Sequence, residues 1–215
     1  QMVRQLQPEI LINNRSGRVE DFGTPEGQAI IRPPKEGGLW EACMTMGDDD
    51  FSYWGYKHNQ TVRRTPAQTL MMVLHVIEHG GNIMLNVGPD ADGVIPPWQQ
   101  ENLAALGAWM EDHAEAVYGT EATQIARRFP NSHQGNSCGF FTKKGGVRYF
   151  YLYEWPGREF TVPFLAERFR EVAVLKTGQT LPFRQEPDGT MCVSGLPATP
   201  LDPFCTVLRM EPAAG

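Results

Sequence analysis

The strongest constraint on the fold is an alternation of apolar, strand-like runs with long amphipathic helices in the first half of the chain. The run GGLWEACMTM (37–46) precedes a helix that Thr65 caps, Pro66 opens and Gly80 follows. A second apolar run, NIMLNV (82–87), comes next and leads into another helical stretch. This order predicts βα units around a parallel sheet, with the loops that follow the strands gathered at one end.

An earlier apolar run, EILINN (9–14), has the pattern of a strand covered on both faces. It leaves through the polar loop NNRSGRVEDFGTPEG (13–27), which sets amides, arginines and acids among glycines and a proline. The carboxyl ends of parallel strands carry the chemistry in both barrels and open sheets. The loop is therefore a candidate ligand surface, although a plain surface turn can be built from the same residues.

The pattern changes after Gly119. Short, aromatic-rich runs follow, with turns at KKGG (143–146) and PDGT (187–190), and they predict an antiparallel β-sandwich of roughly ninety residues. We therefore expect an α/β fold with two domains, residues 1–122 and residues 123–215. The first is read as an incomplete α/β barrel or sheet, and the second as the sandwich.

Composition excludes several classes of function. The net charge of −6 argues against a nucleic-acid surface. No apolar run reaches the ~18 residues of a membrane-spanning helix. The four cysteines show no CxxC spacing, so unpaired thiols in the cores are expected.

Cofactor and metal motifs are also missing from the pattern. The sequence has no GxSxG elbow, no phosphate-binding loop and no dinucleotide fingerprint. His75 and His79 share a helix face, but no glutamate follows His75 as in HExxH. The acidic stretches DDD (48–50) and GPDADG (88–93) lack the spacing of a calcium loop. No cofactor and no metal are expected.

Two charged residues in the polar loop are candidates for ligand binding. Arg15 comes just after the first predicted strand, where its guanidinium could donate hydrogen bonds to hydroxyls or a carboxylate of a ligand. It could equally pair with a neighbouring acid such as Glu20 or Asp21. Glu26 follows a proline in a glycine-flanked loop, where a glutamate is either solvated or catalytic.

Several aromatic residues are predicted on the same face: Trp40, Tyr53, Trp54 and Tyr56. Aromatic rings suit the apolar face of a pyranose, while charged groups suit its hydroxyls. Trp54 lies in a glycine-containing loop and could be a sugar platform. The alternative is that these rings only pack the loops.

Three segments resemble the α-L-fucosidases of glycoside hydrolase family 29: the polar loop 13–27, the stretch from WEACMTMGDD to YWGY, and GGNIMLNVGPDADGVIPPWQQENLAALGAWM (80–110) with HAEAVYGT. The resemblance covers residues 1 to about 120 almost continuously. It implies an incomplete (β/α)8-like TIM barrel followed by an antiparallel β-sandwich. It also implies that the first half of the barrel precedes Gln1, so that this chain is part of a longer protein.

Family members are retaining glycosidases, which implies a double displacement at a terminal α-L-fucosyl linkage. The aspartate nucleophile of the family has no match here and is expected upstream. The resemblance gives the acid/base role to Glu26, with Glu20, Asp21 and Glu41 as the next candidates. It makes Arg15 and Trp54 substrate-binding residues, with Trp54 packing on the sugar near its C6 methyl group.

The expected partner is a fucosylated glycan or oligosaccharide, with no nucleic acid and no membrane span, and a homo-oligomer is left open. The compartment is unknown, and a secreted, periplasmic or lysosomal parent protein is the expectation. These residues alone are expected to be inactive. Two alternatives remain: a non-catalytic carbohydrate-binding module, and a different βα enzyme such as an isomerase.

Overall fold

The structure is a computed structural model, and it describes residues 2–17, 21–27, 38–47, 54–123, 138–163 and 165–213. The chain forms two compact units, Gln1–Leu103 and Ala104–Gly215. The division falls inside a long helix, α3 (Pro97–Val117). The domain bounds expected from the sequence stay a prediction. Glu20, Tyr53 and the acidic run 48–50 lie outside the described residues.

A βαβ element forms the centre of the first unit. Strands β1 (Glu41–Thr45) and β2 (Asn82–Asn86) pair in parallel and in register along their whole length. Helix α2 (Pro66–Glu78) connects them. The Thr65 hydroxyl accepts a hydrogen bond from the backbone N–H of Gln68, whose side chain accepts one from the backbone of Thr65. This capping box satisfies two amide groups of the first turn, so the predicted helix start is confirmed.

Two short extended segments continue the parallel arrangement beyond β1. Isolated parallel bridges join Asn13 to Phe22, Gly23 to Trp40, and Glu26 to Cys43. The Cys43 N–H donates to the Pro25 carbonyl at 2.9 Å. The order of neighbours is therefore the segment ending at Asn13, the segment 22–26, β1 and then β2. Because all of them run in the same direction, their carboxyl ends meet at one edge.

The first of these segments corrects the sequence prediction for residues 9–14. It contains a single bridge at Asn13 instead of a regular strand, and Leu11 is 70% exposed rather than buried. The described part of the chain gives this segment a partner on one side only, through Phe22 and Asp21. A strand covered on both faces needs other elements packed above and below the sheet, and the exposed Leu11 has no such cover. The short helix α1 (Met2–Leu6) precedes it.

The core of the first unit lies between β1 and α2 and contains Trp40, Ala42, Met44, Met72 and Val76. Trp40 is only 2% exposed, which corrects the expectation that its ring belongs to the ligand face. A Cβ at Gly81 would lie 2.4 Å from Cζ2 of this indole. Glycine is therefore required where the chain turns from α2 into β2 over the tryptophan.

The second unit is built from antiparallel strands. A five-stranded sheet has the order β3-β4-β5-β10-β7, and a three-stranded sheet has the order β6-β9-β8. Their bounds are β3 (Glu121–Ala122), β4 (Gly139–Lys144), β5 (Val147–Leu152), β6 (Glu159–Val162), β7 (Phe169–Val174), β8 (Phe183–Gln185), β9 (Met191–Ser194) and β10 (Thr206–Pro212). The predicted hairpins at KKGG and PDGT are confirmed, whereas sequence analysis missed β3 and β6.

Side chains of both sheets contribute to one hydrophobic core. Phe141 and Phe150 come from the larger sheet, and Phe160 and Val193 come from the smaller one. All four cysteines are free, and two of them, Cys138 and Cys205, are buried. Burial raises the pKa of the Cys138 thiol to about 11, so it behaves as an inert apolar group. The chain is thus a mixed α/β protein with antiparallel sheets.

Helix α3 carries a polar cluster within the second unit. The Trp109 indole N–H donates to the Cys205 carbonyl at 2.9 Å. The His113 ring, which is 1% exposed, stacks on Trp109 with ring centres 4.3 Å apart. Burial lowers the pKa of His113, so this imidazole is neutral near pH 7. None of the helices in the described ranges combines the length and the hydrophobicity that a membrane span requires.

Candidate functional site at the carboxyl ends of the strands

Two asparagines position Arg15 at the end of the first extended segment. The Asn13 side chain accepts a hydrogen bond from the Arg15 N–H at 3.1 Å and caps a single 3-10 turn, Asn14–Ser16. The Asn14 side chain accepts bonds from both the N–H and the hydroxyl of Thr24, each at 3.0 Å. One asparagine therefore orients Arg15, and the other ties the polar loop to the neighbouring segment.

Glu26 lies at the end of that neighbouring segment. Its backbone bridges to Cys43 of β1, and the next residue, Gly27, has φ of 64°. Glycine adopts this left-handed conformation without strain, so the chain can turn away directly after Glu26. The Gly27 N–H donates to the Cys43 carbonyl at 3.1 Å and fixes the turn.

The structure brings Arg15 and Glu26 together. Nη1 of Arg15 lies 2.5 Å from Oε2 of Glu26, and the two side chains are 47% and 42% exposed. An ion pair as open as this contributes little to stability, on the order of 0–1 kcal/mol. Both groups are accessible from solvent at the edge where the strands end, so a ligand can reach them.

The other acids named from the sequence are placed differently. Asp21 accepts bonds from Arg4 at 2.7 Å and from the Ile12 N–H at 2.8 Å. These two bonds, the backbone one first, lower the pKa of Asp21. Asp21 therefore clamps the start of its segment, and the partner of Arg15 is Glu26 rather than Asp21.

Glu41 is the first residue of β1, so it lies at the amino end of that strand. At a rise of about 3.3 Å per residue, its Cα is roughly 13 Å from that of Thr45 at the carboxyl end. Among the described alternatives, neither Asp21 nor Glu41 has the strand-end position that Glu26 has.

Trp54 is held at the end of β2. The Asn86 side-chain amide donates to the Trp54 carbonyl at 2.8 Å, and Asn86 is the last residue of β2. A Cβ at Gly88 would lie 2.4 Å from the Gly55 carbonyl oxygen, so the loop after Trp54 lies directly against the chain that leaves β2. The described contacts join Trp54 to β2, and none joins it to the Arg15–Glu26 pair.

A cavity of about 330 Å³ lies beside the Trp54 loop, with Gly55 and Gly88 in its wall. Its lining includes the aromatic residues Tyr56 and Trp98. The Arg63 guanidinium lies 5.9 Å from the centre of the Trp98 ring.

Gln60 is 8% exposed and also lines this cavity, and its Nε2 has no hydrogen-bond partner among the described residues. A buried amide without a partner favours a ligand or water that accepts a hydrogen bond there. Sequence analysis missed Gln60 and Trp98, because neither stands in a motif that carries chemistry.

One group of described residues could hold a metal ion: His75, Glu78 and His79, near the end of α2. Helix α2 starts after β1 ends and finishes where β2 begins. Its last turn therefore lies at the opposite end of the βαβ element from Glu26. No metal ligands of this kind occur near Glu26 in the described ranges.

Comparisons with known proteins show the family of the chain. A sequence model of the alpha-L-fucosidase family matches residues 1–115, more than half of the chain. Tissue alpha-L-fucosidase of Mus musculus is 29% identical over 157 residues, which cover 70% of this chain and 33% of the mouse protein.

Solved structures resemble the whole chain. Alpha-L-fucosidase isoenzyme 1 from Paenibacillus thiaminolyticus is 27% identical with a TM-score of 0.82, covering 99% of this chain and 52% of the other. The Thermotoga maritima alpha-fucosidase in complex with fucose is 26% identical with a TM-score of 0.75, covering 97% of this chain and 47% of the other. The chain thus spans about half the length of these structures. With its first 115 residues matched and its fold shared along nearly all its length, the chain belongs to the alpha-L-fucosidase family.

Proposed function

We propose that this chain contributes the acid/base and sugar-binding residues of a retaining α-L-fucosidase, which hydrolyses terminal α-L-fucosyl linkages of glycans. Family membership supports fucosyl hydrolysis as the reaction. The observation that carries the assignment of residues is the contact between Arg15 and Glu26 at the strand-end edge. The solved Thermotoga maritima relative was crystallised with fucose, which supports this sugar as the ligand.

The proposed architecture is a partial (β/α)8 barrel, residues 1–122, followed by a β-sandwich, residues 123–215. Four consecutive parallel neighbours in the first unit support the barrel. The core shared by two antiparallel sheets supports the sandwich. In such barrels the residues that act on the substrate come from the carboxyl ends of several strands.

The proposed chemistry is a double displacement. An aspartate attacks the anomeric carbon while Glu26 gives its proton to the departing oxygen, so that a β-fucosyl-enzyme and the free leaving alcohol form. Glu26 then takes a proton from water, which attacks the same carbon and releases α-L-fucose and the aspartate. Retention requires carboxyl groups about 5–5.5 Å apart. We propose that the aspartate comes from residues outside these 215.

Arg15 has a separate task in this proposal. Its guanidinium donates to Glu26 in the free chain, and we propose that sugar hydroxyls take over these donors when fucose binds. Glu26 is then released toward the leaving oxygen. Trp54, fixed by Asn86 at the end of β2, offers its ring to the apolar face near the C6 methyl group.

Azide rescue tests the role of Glu26 in the complete protein, meaning this chain with the residues that precede or follow it. With a nitrophenyl α-L-fucoside, Glu26→Ala should form the fucosyl-enzyme but hydrolyse it slowly, because the base is gone. Azide is a nucleophile that needs no base, so it should restore turnover and give α-L-fucosyl azide, the anomer retained after two displacements. Asp21→Ala is the matched control, since Asp21 is bound to Arg4.

A non-catalytic carbohydrate-binding function is the second candidate, favoured by the aromatic cavity with the unpartnered Gln60 amide. It predicts that the complete protein binds fucosylated oligosaccharides without releasing fucose. Fucoside turnover that azide restores in Glu26→Ala excludes this candidate. Hydrolysis that Glu26→Ala leaves unchanged would refute the assignment of Glu26.

A further inference from the structure

The last turn of α2 gathers three metal-binding side chains that the proposed hydrolysis does not use. His75, Glu78 and His79 are partly buried, and one ligand atom from each lies within 4.8 Å of the others. The sequence His75-Val76-Ile77-Glu78-His79 has the H-x-x-E-H spacing, which occurs in a class of zinc proteins. Sequence analysis looked for HExxH and so did not weigh Glu78.

The His79 imidazole is oriented as a metal ligand is. Nδ1 of His79 lies 2.8 Å from the His75 carbonyl and donates to it, which leaves the Nε2 lone pair for a ligand bond. A metal-binding histidine nearly always donates its other ring N–H to a carbonyl or carboxylate in this way. Nδ1 of His75 lies 3.6 Å from Oε2 of Glu78, and the two histidine rings have centres 4.5 Å apart.

The position in the helix also favours a cation. Glu78 is the last residue of α2 and His79 is its C-cap. The carboxyl end of a helix carries a partial negative charge of roughly half an electron, which attracts positive ions. Glu78 adds a full negative charge to the same turn.

The ligand set determines which cation fits. Two imidazole nitrogens and one carboxylate oxygen suit zinc, nickel or copper, whereas magnesium and calcium prefer oxygen ligands alone. We propose that His75, Glu78 and His79 bind one divalent transition-metal ion, such as Zn²⁺. With three protein ligands, water completes the coordination.

The consequence is structural. The ion links residues one helical turn apart and so stabilises the end of α2. The 13 residues of α2 rise about 1.5 Å each, so the helix is roughly 20 Å long, and it is the first turn that follows the strand-end edge. The proposed ion should therefore raise the melting temperature and leave fucoside hydrolysis unchanged.

Zn²⁺ titration of the complete, untagged protein after chelation tests this proposal. Calorimetry should show one site lost in His75→Gln/His79→Gln and retained in the matched control His58→Gln. Loss of a residue that only supports a metal ligand costs about tenfold in affinity. Glu78→Gln removes a proposed ligand itself, so it should weaken zinc binding by at least that much. The melting temperature should rise with Zn²⁺ and not with Mg²⁺.

Zinc binding in His75→Gln/His79→Gln that equals binding in the wild type would overturn the proposal. It would place the ion elsewhere, for example on the partly exposed thiols Cys43 and Cys192. Absence of any saturable binding would also overturn it. Activity is measured in parallel with and without chelator. If His75→Gln/His79→Gln loses zinc binding and keeps normal fucoside hydrolysis, the result supports the zinc site without depending on the role proposed for Glu26.

Discussion

Glu26 and Glu115 are two glutamates that each accept a hydrogen bond from an arginine, and their surroundings differ. Arg15 Nη1 lies 2.5 Å from Glu26, and Arg209 Nε lies 2.9 Å from Glu115. The two carboxylate side chains are similarly exposed, 42% and 49%. Glu115 also accepts a bond from the Tyr149 hydroxyl at 2.6 Å, and Tyr149 is 2% exposed.

The additional bond gives Glu115 a structural role. The hydrogen bond from Tyr149, followed by that from Arg209, lowers the pKa of Glu115. Burial, followed by the bond to Glu115, raises the pKa of Tyr149 to about 12. The proton thus stays on the phenol and the charge stays on the carboxylate. Glu26 has one described partner, which is carried on a single 3-10 turn, so that pair can open when a ligand competes for it.

The largest expected difference between the two glutamates is in catalysis. In the complete protein, Glu26→Gln should slow cleavage of natural fucosyl linkages by about 10²–10⁴, because a sugar hydroxyl leaves poorly without a proton. A nitrophenolate needs no proton to leave, so fucosyl transfer from the aryl fucoside should be slowed far less, as measured by pre-steady-state release of nitrophenol. Glu115→Gln makes the same substitution in the structural glutamate and should leave both rates near those of the wild type.

Equal losses on both substrates in Glu26→Gln would show that the side chain positions the substrate without transferring a proton. A loss of activity in Glu115→Gln as large as that in Glu26→Gln would remove the distinction between the two glutamates.

Arg15 and Arg209 should also differ in their effect on catalysis, by less than the two glutamates do. Charge-assisted hydrogen bonds typically contribute about 1.5–3 kcal/mol, so Arg15→Ala should lower kcat/KM by roughly ten- to a few hundred-fold. Arg15→Lys keeps the charge but loses the planar pair of donors, and should recover only part of the loss. Arg209→Ala should leave kcat/KM unchanged and lower the free energy of unfolding. An unchanged kcat/KM in a folded Arg15→Ala protein would make Arg15 a loop-stabilising residue only.

Features that depend on local sequence could be predicted, and features that depend on tertiary packing could not. The capping box at Thr65 and the hairpins at KKGG and PDGT depend on local chemistry, and all are confirmed. Trp40 depends on tertiary packing, and it was wrongly placed on the ligand face with the aromatic residues of the following loop. The indole is instead covered by α2 and Gly81.

The ion pair of the candidate site was only half predicted. Arg15 and Glu26 were each singled out, but the sequence offered Glu20 and Asp21 as nearer partners for Arg15. Parallel bridging places Glu26 rather than Asp21 at the strand end, since Asp21 begins the segment that Glu26 finishes. Separation along the chain cannot give this result, because pairing between neighbouring segments sets it.

Removal of the Tyr149 hydroxyl, which is bonded to Glu115, should have a smaller effect, on the stability of the fold. Tyr149→Phe removes the hydroxyl bonded to Glu115 and leaves the ring in place. Since Glu115 is half exposed and keeps Arg209, we expect a loss of about 1 kcal/mol in the free energy of unfolding, somewhat below the range of about 1.5–3 kcal/mol for bonds to charged groups. Urea titration at pH 7 measures it. Tyr118→Phe, at a tyrosine that is 67% exposed, is a control for the loss of a phenol.

The pH dependence of that loss is the smallest and most specific difference. The pKa of Glu115 is lowered from its ordinary value of 4.5, so its bond contributes fully above pH 4.5 and is lost as the pH falls through the folded pKa. The pKa of Tyr149 is raised from 10.0 to about 12, so its contribution is complete below pH 10 and is lost as the pH rises toward 12. The difference in the free energy of unfolding between wild type and Tyr149→Phe should therefore be constant between pH 6 and 9, and should shrink below pH 4.5. A difference that stays constant down to pH 3 would mean that the phenol stabilises the fold without its bond to an ionised Glu115.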